Sequence, residues 1–433
     1  MRKIIYWALL PVLFLLAFNI QATAQTTPQG QVVLTVDIAD SDYIFLQSNP
    51  IDITVNLANV TGTAANGKLV VKLFTDDHKP LKADSLLVSL PANESRQYSF
   101  GLDKPAPGFY RYNVQFYSDN TLLMDKKFNV GVEPEKISSP IDAKADFKAF
   151  WDNSLKELAM VAPQYELTLI PEQSQLDYNT YLVKMCSFGN EPIQGYYTQP
   201  KREGKHPVIV EYMGYGSQPY FPNQHWDGFA RFVLSIRGQA LNQPGNRFGT
   251  WITYGLDSKE DYYYRGAFLD VVRALDFVCS RPEIDGDKIG VRGGSQGGAL
   301  SFVAASLDQR VKAAAPEIPF LSDYRDYFAI THWPREDFER YIAGNNLPQS
   351  EWERIYNLLS YFDVKNLAQW ITSPVLMGIG VQDDVCPPHT NFAVYNQVKS
   401  EKQWLAYPQN GHNTGFEHYG IVMQFFKDKL NVK

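Results

Sequence analysis

Two patterns of hydrophobic spacing divide the chain. From about Gln31 to Val132 apolar residues alternate with others: Val32, Leu34, Val36 and Ile38, then Ile51, Ile53, Val55 and Leu57, then Tyr110, Tyr112, Val114 and Phe116. A period of two gives each strand one buried face and one wet face. Turn-forming clusters separate the runs, at Thr61-Gly62, Ala65-Asn66-Gly67, Pro107-Gly108 and Asp119-Asn120. About seven short strands in roughly a hundred residues predict an all-β sandwich of immunoglobulin or fibronectin type over residues 30–133. No catalytic constellation lies in this region. Its expected role is spacing or packing, with carbohydrate binding as the alternative.

Residues 134–144 read as a linker, and beyond them the pattern changes. Phe147, Phe150, Trp151, Leu155 and Leu158 recur at helical spacing, as do Phe268, Val271, Leu275 and Val278. Between and after these helices come short apolar strands, Val208-Ile209-Val210, Lys288 to Arg292 and Val375 to Ile379, and a closing helix from Gly420 to Leu430. Alternating strands and helices predict an α/β unit over residues 145–433, with a doubly wound, mostly parallel sheet covered on both faces. The stretch Ser322–Asn366 breaks the alternation. It is helical and aromatic, and is a candidate cap over an active site.

The first 24 residues have a grammar of their own. Arg2 and Lys3 precede an apolar run from Ile4 to Phe18, and Ala22-Thr23-Ala24 follows as a small-x-small cleavage pattern. That is the layout of a secretory signal peptide, which predicts a periplasmic or extracellular protein. An uncleaved anchor is the weaker alternative, because the run is short for a membrane span. No further long apolar stretch occurs, so no membrane association is expected after cleavage. The formal net charge is −7 over 433 residues and no basic cluster stands out, which argues against a nucleic-acid partner. The three cysteines, Cys186, Cys279 and Cys386, form no metal-type or CxxC pair and are expected as buried free thiols.

The candidate chemistry begins at Gly293-Gly294-Ser295-Gln296-Gly297-Gly298, between the strand around Ile289 and Val291 and a helix from Ala299 to Ser306. This is G-x-S-x-G in a strand–turn–helix context, the nucleophile elbow of an α/β-hydrolase. The glycines permit a tight, strained turn. The turn lifts the Ser295 hydroxyl to a helix N-terminus, where the Gln296 N–H can meet a developing oxyanion. A phosphate-binding loop is excluded by the absence of a terminal Gly-Lys-Ser/Thr.

A serine nucleophile needs a base, and the base needs an acid. In this fold the acid and then the histidine follow the serine. Four histidines do so: His332, His389, His412 and His418. His412 lies in the polar loop Gln409–Asn413 after the strand Trp404–Tyr407 and is the expected base. His332 and His389 are expected as surface or lid residues, and His418 as part of the last helix. Asp383 and Asp384 both follow the strand Val375–Ile379, and spacing alone leaves the acid open between them. The Gly-rich turn after Val208–Glu211 provides a second oxyanion donor, the N–H of Tyr215.

Several of these blocks resemble one family, the acetyl xylan esterase/cephalosporin C deacetylase family (carbohydrate esterase family seven). Arg237-Gly238-Gln239 is similar to its RGQ signature, and Gly293 to Gly298 to its GGSQGG elbow. Leu359 to Asp363 and Asp383 to Pro388 resemble its LSYFD and D-x-x-C-P-P blocks. Gly214-Tyr215 resembles its oxyanion loop, and Phe147 to Leu158 its N-terminal helix. The likeness spans about Asp146 to the C-terminus and leaves out the β-rich region. It implies that Asp383 rather than Asp384 is the acid, and that the catalytic set is Ser295, Asp383 and His412, with Tyr215 and Gln296 as backbone donors. Two positions depart from the family pattern: Asn413 stands where Glu follows the histidine, and Gly214-Tyr215-Gly216-Ser217 stands for a GYNGG-like loop.

The resemblance implies a serine carboxylesterase that removes acetyl groups from xylo-oligosaccharides or related small acetyl esters. It needs no organic cofactor and no metal. It also leaves homo-oligomerisation open. Two rival readings are a prolyl-oligopeptidase-like peptidase, for which blade repeats are lacking, and a glycan-binding protein on a hydrolase scaffold, against which the complete Ser–Asp–His set argues.

Overall fold

A computed structural model of the chain describes residues 25–26, 32–46, 51–222 and 227–432. The leader expected over residues 1–24 lies outside the described residues. In the β-rich region two sheets face each other. One orders Gln25–Thr26, Val32–Ile38, Ile51–Asn59 and Ser95–Leu102. The other orders Ile44–Phe45, Thr121–Val132, Gly108–Ser118, Ala65–Thr75 and Pro80–Leu90. Leu34, Ile53 and Val55 from the first meet Leu69, Val114 and Val130 from the second in one buried core. The alternation seen in the sequence is the inward half of these strands. One expected turn is part of a strand instead: Ala65-Asn66-Gly67 opens Ala65–Thr75. Gly67 is needed there because a Cβ would stand 2.4 Å from the Phe116 ring.

The segment between the two regions is packed. Pro134–Lys136 forms a 3-10 turn, and Asn396 donates to the carbonyls of Pro134 and Ile137 at 3.1 and 3.3 Å. Ile137, Ile44 and Phe109 join the core of the α/β region, so the sandwich is seated on it through apolar contact.

Among the described residues the α/β region is built on nine strands: β1 (Glu166–Leu169), β2 (Tyr178–Ser187), β3 (Glu191–Pro200), β4 (His206–Tyr212), β5 (Ala230–Ser235), β6 (Ile284–Gly294), β7 (Val311–Glu317), β8 (Val375–Gly380) and β9 (Lys402–Tyr407). Their order is β1-β2-β3-β5-β4-β6-β7-β8-β9. Pairing is antiparallel up to β3–β5 and parallel from β5 onward. The fold is therefore of the α/β-hydrolase type, with a mostly parallel sheet.

The α-helices among the described residues are α1 (Phe147–Ala159), α2 (Tyr263–Cys279), α3 (Gln296–Leu307), α4 (Tyr324–Ile330), α5 (Arg335–Gly344), α6 (Glu351–Leu359), α7 (Val364–Ala368), α8 (Pro388–Tyr395) and α9 (His418–Lys429). Val208, Val210, Ile289 and Val291 face α2 and α3, whereas Ile209, Ala313 and Leu376 face Val422 and Phe426 of α9. Both sheet faces are thus covered, which explains the unbroken apolar runs of the central strands. From β4 the chain passes to β5 on one side, and β6 lies on the other. The carboxyl ends of β4 and β6 therefore flank a topological switch point, where such sheets open a crevice.

Candidate active site

Ser295 sits between β6 and α3 with φ 58° and ψ −120°. That conformation is strained for a residue with a Cβ. It persists because the surroundings hold it: Ser295 N–H donates to the Glu317 carbonyl at 3.0 Å, and the Ser295 carbonyl accepts from Phe320 N–H at 3.1 Å. Two glycines make room for the turn. A Cβ on Gly297 would lie 2.0 Å from the Tyr212 carbonyl oxygen, and one on Gly298 2.4 Å from that of Glu317. Around Gly294, by contrast, nothing lies within 4 Å.

His412 and Asp383 meet. His412 Nδ1 is 2.8 Å from Asp383 Oδ2, and the Asp383 carboxylate is fully buried. Its other oxygen accepts from the N–H groups of Val385 at 2.9 Å and Cys386 at 2.8 Å. The carboxylate is thus anchored in the turn that follows β8 and aimed at the imidazole. Asp384 is exposed, and its carbonyl accepts from Thr331 Oγ1 at 3.0 Å.

Cys386 links this pair to the serine. Its Sγ lies 4.0 Å from Ser295 Oγ and 3.9 Å from the Tyr327 hydroxyl, which itself donates to the Val385 carbonyl at 2.7 Å. Burial, aided by the Asp383 charge, pushes the Cys386 thiol well above its ordinary range. It is therefore held as a neutral thiol. All three cysteines are free. Ser295 Oγ points at Cys386 here and makes no hydrogen bond to His412. Such contacts are commonly looser without substrate.

The remaining histidines are placed elsewhere. His332 is exposed in the segment between α4 and α5. His418 is buried at the start of α9, with Nδ1 2.8 Å from the Tyr407 hydroxyl, and burial lowers its basicity. His389 departs from the surface or lid role expected for it. It bridges Asp76 of the sandwich at 2.7 Å and Asp326 of α4 at 3.2 Å, with only 15% of its side chain exposed. Burial disfavours its charge, but the two carboxylates outweigh this and push its pKa up to about 10.

Asp323, Asp326 and His389 have ligand atoms within 4.8 Å of one another. These groups are already neutralised, since Lys365 Nζ lies 2.7 Å from Asp323 and the charged His389 lies on Asp326. The trio reads as an ion-pair network rather than a cation site.

The N–H groups of Tyr215 and Gln296 take no partner among the described residues. They lie at the carboxyl end of β4 and the N-terminus of α3, beside the strained serine. Gln239 organises both loops. Its Oε1 accepts from Gly216 N–H at 3.1 Å, its side-chain amide pairs reciprocally with that of Gln296 at 3.2 Å, and its Nε2 donates to the Tyr263 hydroxyl at 2.9 Å. Arg237 anchors the same turn through a buried two-point pair with Asp270 at 2.6 and 2.9 Å. The sequence marked Arg237-Gly238-Gln239 only as a signature; its role as the frame of the donor loops appears in three dimensions.

Glu317, absent from the sequence reading, is a second frame. Its carbonyl holds Ser295, and its carboxylate accepts from Thr414 Oγ1 in the His412 loop and from Arg292, both at 2.8 Å. The one available signal was a carboxylate ending the apolar strand β7.

The mouth is aromatic. The Tyr215 ring stands 5.1 Å from Trp251 and 5.4 Å from Trp333, and Phe320 stacks on Trp333 at 5.1 Å. Trp333 follows α4, so the segment expected as a cap does reach the acid loop and the donor loop. Asn413, at the position where the family has Glu, is exposed, and its Oδ1 accepts from Asn410 and from Gly415 N–H. It shapes the base loop from within.

Comparison with known proteins points to one family. The acetyl xylan esterase (AXE1) family model matches residues 135–430. Acetyl esterase Axe7A of Xylanibacter ruminicola is 32% identical over 337 residues, covering 72% of this chain and 74% of that protein. The acetyl xylan esterase of Paenibacillus sp. R4 superposes with a TM-score of 0.64 at 33% identity, covering 69% of this chain and 98% of that one. Acetyl xylan esterase 1 of Thermoanaerobacterium sp. JW/SL YS485 gives 0.62 at 31% identity, with the same two coverages.

Proposed function

The chain belongs to the acetyl xylan esterase family and is a carboxylic ester hydrolase, and from that premise we propose that it removes acetyl groups from acetylated xylo-oligosaccharides through Ser295, His412 and Asp383. The observation that carries this reading is the buried Asp383 carboxylate held against His412 Nδ1 at 2.8 Å beside the strained Ser295 elbow. Proton acceptance then falls to the other ring nitrogen, Nε2.

In the proposed first step Ser295 Oγ turns from Cys386 toward His412 and gives its proton to Nε2. Oγ attacks the acetyl carbonyl carbon, and the N–H groups of Tyr215 and Gln296 receive the negative oxygen. Collapse of this intermediate breaks the bond to the sugar oxygen, which leaves with the proton from His412. Water then adds to the acetyl-enzyme by the same route, giving acetate and free Ser295. Asp383 keeps the ring in one tautomer and stabilises the imidazolium. The donors are positioned before reaction, so they need little reorganisation when charge develops.

Export completes the proposal. The arrangement of residues 1–24 supports it, and among the described residues no helix is long and apolar enough to cross a membrane.

Acetate release from acetylated xylo-oligosaccharides by the wild type, with near-complete loss in Ser295→Ala, is the expected result. Ser295-dependent hydrolysis of a simple aryl acetate without release from the oligosaccharide would keep the esterase and move the substrate. Release that persists in Ser295→Ala would overturn the mechanism.

A further inference from the structure

The sandwich presents a face that differs in charge from the rest of its region and ends at the acid loop. Along Ala65–Thr75, Leu69, Val71 and Leu73 enter the core, so Lys68, Val70, Lys72 and Phe74 face the other way. Strand register sets Leu87 and Tyr117 on either side of Lys68, Asn113 beside Lys72, and Arg111 beside Phe74.

This outward face holds two adjoining hollows. The first, of about 800 Å³, is lined by Lys68, Lys72, Leu87 and Tyr117 among others. The second, of about 270 Å³, takes in His78, Arg111, Lys127 and Asn129. Asn113 lines the second and pairs across the strands with Lys72 of the first, so the two form one trough.

Residues 32–133 carry nine Lys and Arg against twelve Asp and Glu. Arg111 and Lys127 of the second hollow are met by carboxylates, Asp76 and Asp384 near Arg111 and Asp125 3.3 Å from Lys127. The first hollow reverses the region's balance, with Lys68 and Lys72 against the single carboxylate of Asp119. Its chemistry is therefore cationic, with an aromatic and an aliphatic surface beside the charges: Leu87 is 86% exposed next to Lys68.

The second hollow abuts the acid loop and the end of α4. His78 Nε2 lies 3.0 Å from the Ile330 carbonyl at the end of α4, and Asn129 N–H donates to Gln382 at 2.7 Å. The carboxylates of Asp76 and Asp384 both act on Arg111. Gln382 and Asp384 flank the acid Asp383. Thr331, next to Ile330, bonds Asp384, and Trp333 two residues on stands against Tyr215. One continuous rim therefore joins the basic trough to the aromatic mouth above Ser295.

We propose that this face is an extended substrate subsite, which binds the remainder of an acetylated oligosaccharide bearing carboxylate side groups while one of its acetyl esters lies at Ser295. The proposal rests on the esterase reading above and adds the glycan class to it. Lys68 and Lys72 meet the carboxylates, and Tyr117 with Leu87 takes the apolar face of a sugar ring. The charges also concentrate anionic chains near the mouth.

The test compares kcat/KM for acetate release from acetylated xylo-oligosaccharides with and without glucuronosyl branches, using the full chain. The variants are Lys68→Ala/Lys72→Ala and, separately, Tyr117→Ala, and an aryl acetate too small to reach the trough is the control. The wild type is expected to favour the branched oligosaccharides by roughly three- to tenfold at low salt, as for one or two exposed charge pairs. The preference should shrink toward unity at about 0.5 M salt. The double lysine variant should lose the preference, and Tyr117→Ala should raise KM for both oligosaccharides, while aryl acetate hydrolysis stays unchanged. Equal rates on the two oligosaccharides in the wild type, or an undiminished preference in the double variant, would overturn the subsite. Aryl acetate hydrolysis that survives Ser295→Ala would overturn the Ser295 site on which the subsite rests, and the subsite with it.

Discussion

Asn129 and Gln382 pair as two strands would, although one of them contributes a side chain. Asn129 N–H donates to Gln382 Oε1 at 2.7 Å, and the Asn129 carbonyl accepts from Gln382 Nε2 at 3.1 Å. The same amide reaches the Pro408 carbonyl at 2.7 Å, and Asn129 Nδ2 donates to the Val381 carbonyl at 3.3 Å. The sandwich is thereby fastened to the residue preceding Asp383. On the base side, Gln409, three residues before His412, donates to the Tyr43 hydroxyl at 2.6 Å. The β-rich region holds both loops of the proposed acid–base pair.

Gln382→Ala should therefore lower kcat by about tenfold with a small change in KM, since it leaves the Asn129 N–H and carbonyl and the Pro408 carbonyl without this partner and unfastens the acid loop from the sandwich. Gln382→Glu should not restore the rate, because a carboxylate lacks the donor that Asn129 and Pro408 require. Steady-state kinetics on an aryl acetate decide this. A wild-type kcat in Gln382→Ala would mean that the acid loop is held without the sandwich.

The two adjacent aspartates should separate cleanly. Asp383→Asn is expected to cost roughly 10²–10⁴ in kcat, as for loss of the group that sets a catalytic histidine tautomer. Asp384→Asn should stay within about threefold of wild type on an aryl acetate, because its side chain is exposed and lies off the His412 contact. Equal losses in both would count against the assignment.

Gln239→Ala should remove the amide that frames both oxyanion donors. A fall of about ten- to a hundredfold in kcat is expected, short of the loss of a donor itself. Its thermal stability should also drop, because Gln296 is left with a buried amide short of partners. An unchanged kcat with lowered stability would reduce Gln239 to a packing role.

Stability should depend on pH through His389. Its folded pKa is raised to about 10 by Asp76 and Asp326, acting against burial, and the unfolded value is about 6.5. The folded state binds the proton more tightly, so the full contribution is present below about pH 6.5. It is lost as pH rises from there through 10. The size is on the order of 2–4 kcal/mol. Denaturant melts across this range should show the loss in the wild type and a flatter profile in His389→Gln.

The elbow glycines should differ in tolerance. Gly297→Ala drives a Cβ into the Tyr212 carbonyl at 2.0 Å and should destabilise the fold by about 3 kcal/mol or more. Gly294→Ala meets nothing within 4 Å and should melt close to wild type. A normal melting temperature for Gly297→Ala would show that β4 and α3 can move apart.

Much of this protein was legible in one dimension because its signals are local. Period-two alternation is a property of a strand and its two faces, so the β-rich region could be read from Val32 to Val132. The Ser295 elbow was equally plain, since a strained turn between strand and helix demands glycines at short range. His412 stood out because few histidines follow the serine and only one lies in a polar loop at the right distance. Ala65-Asn66-Gly67 was misread as a turn because turn residues also serve where a neighbouring ring, here Phe116, needs a missing side chain.

What depended on contacts between distant segments could not be read that way. Spacing alone leaves Asp383 and Asp384 level, and only the family likeness points to Asp383; the physical reason, which carboxylate the loop after β8 buries and aims, lies in contacts between distant segments. Gln239 frames two loops that lie far apart in sequence, and Glu317 joins the elbow to Thr414. His389 reads from the sequence as a surface or lid residue, whereas Asp76 and Asp326 converge on it from two different regions. The chain by itself determined the elements, their order and the residue types available for acyl transfer, because these follow from local sterics and the spacing of apolar positions. Only the tertiary structure decided which carboxylate faces the imidazole, what holds the donor loops and where the sandwich touches the catalytic loops, because those depend on long-range packing and on which charges burial leaves with a partner.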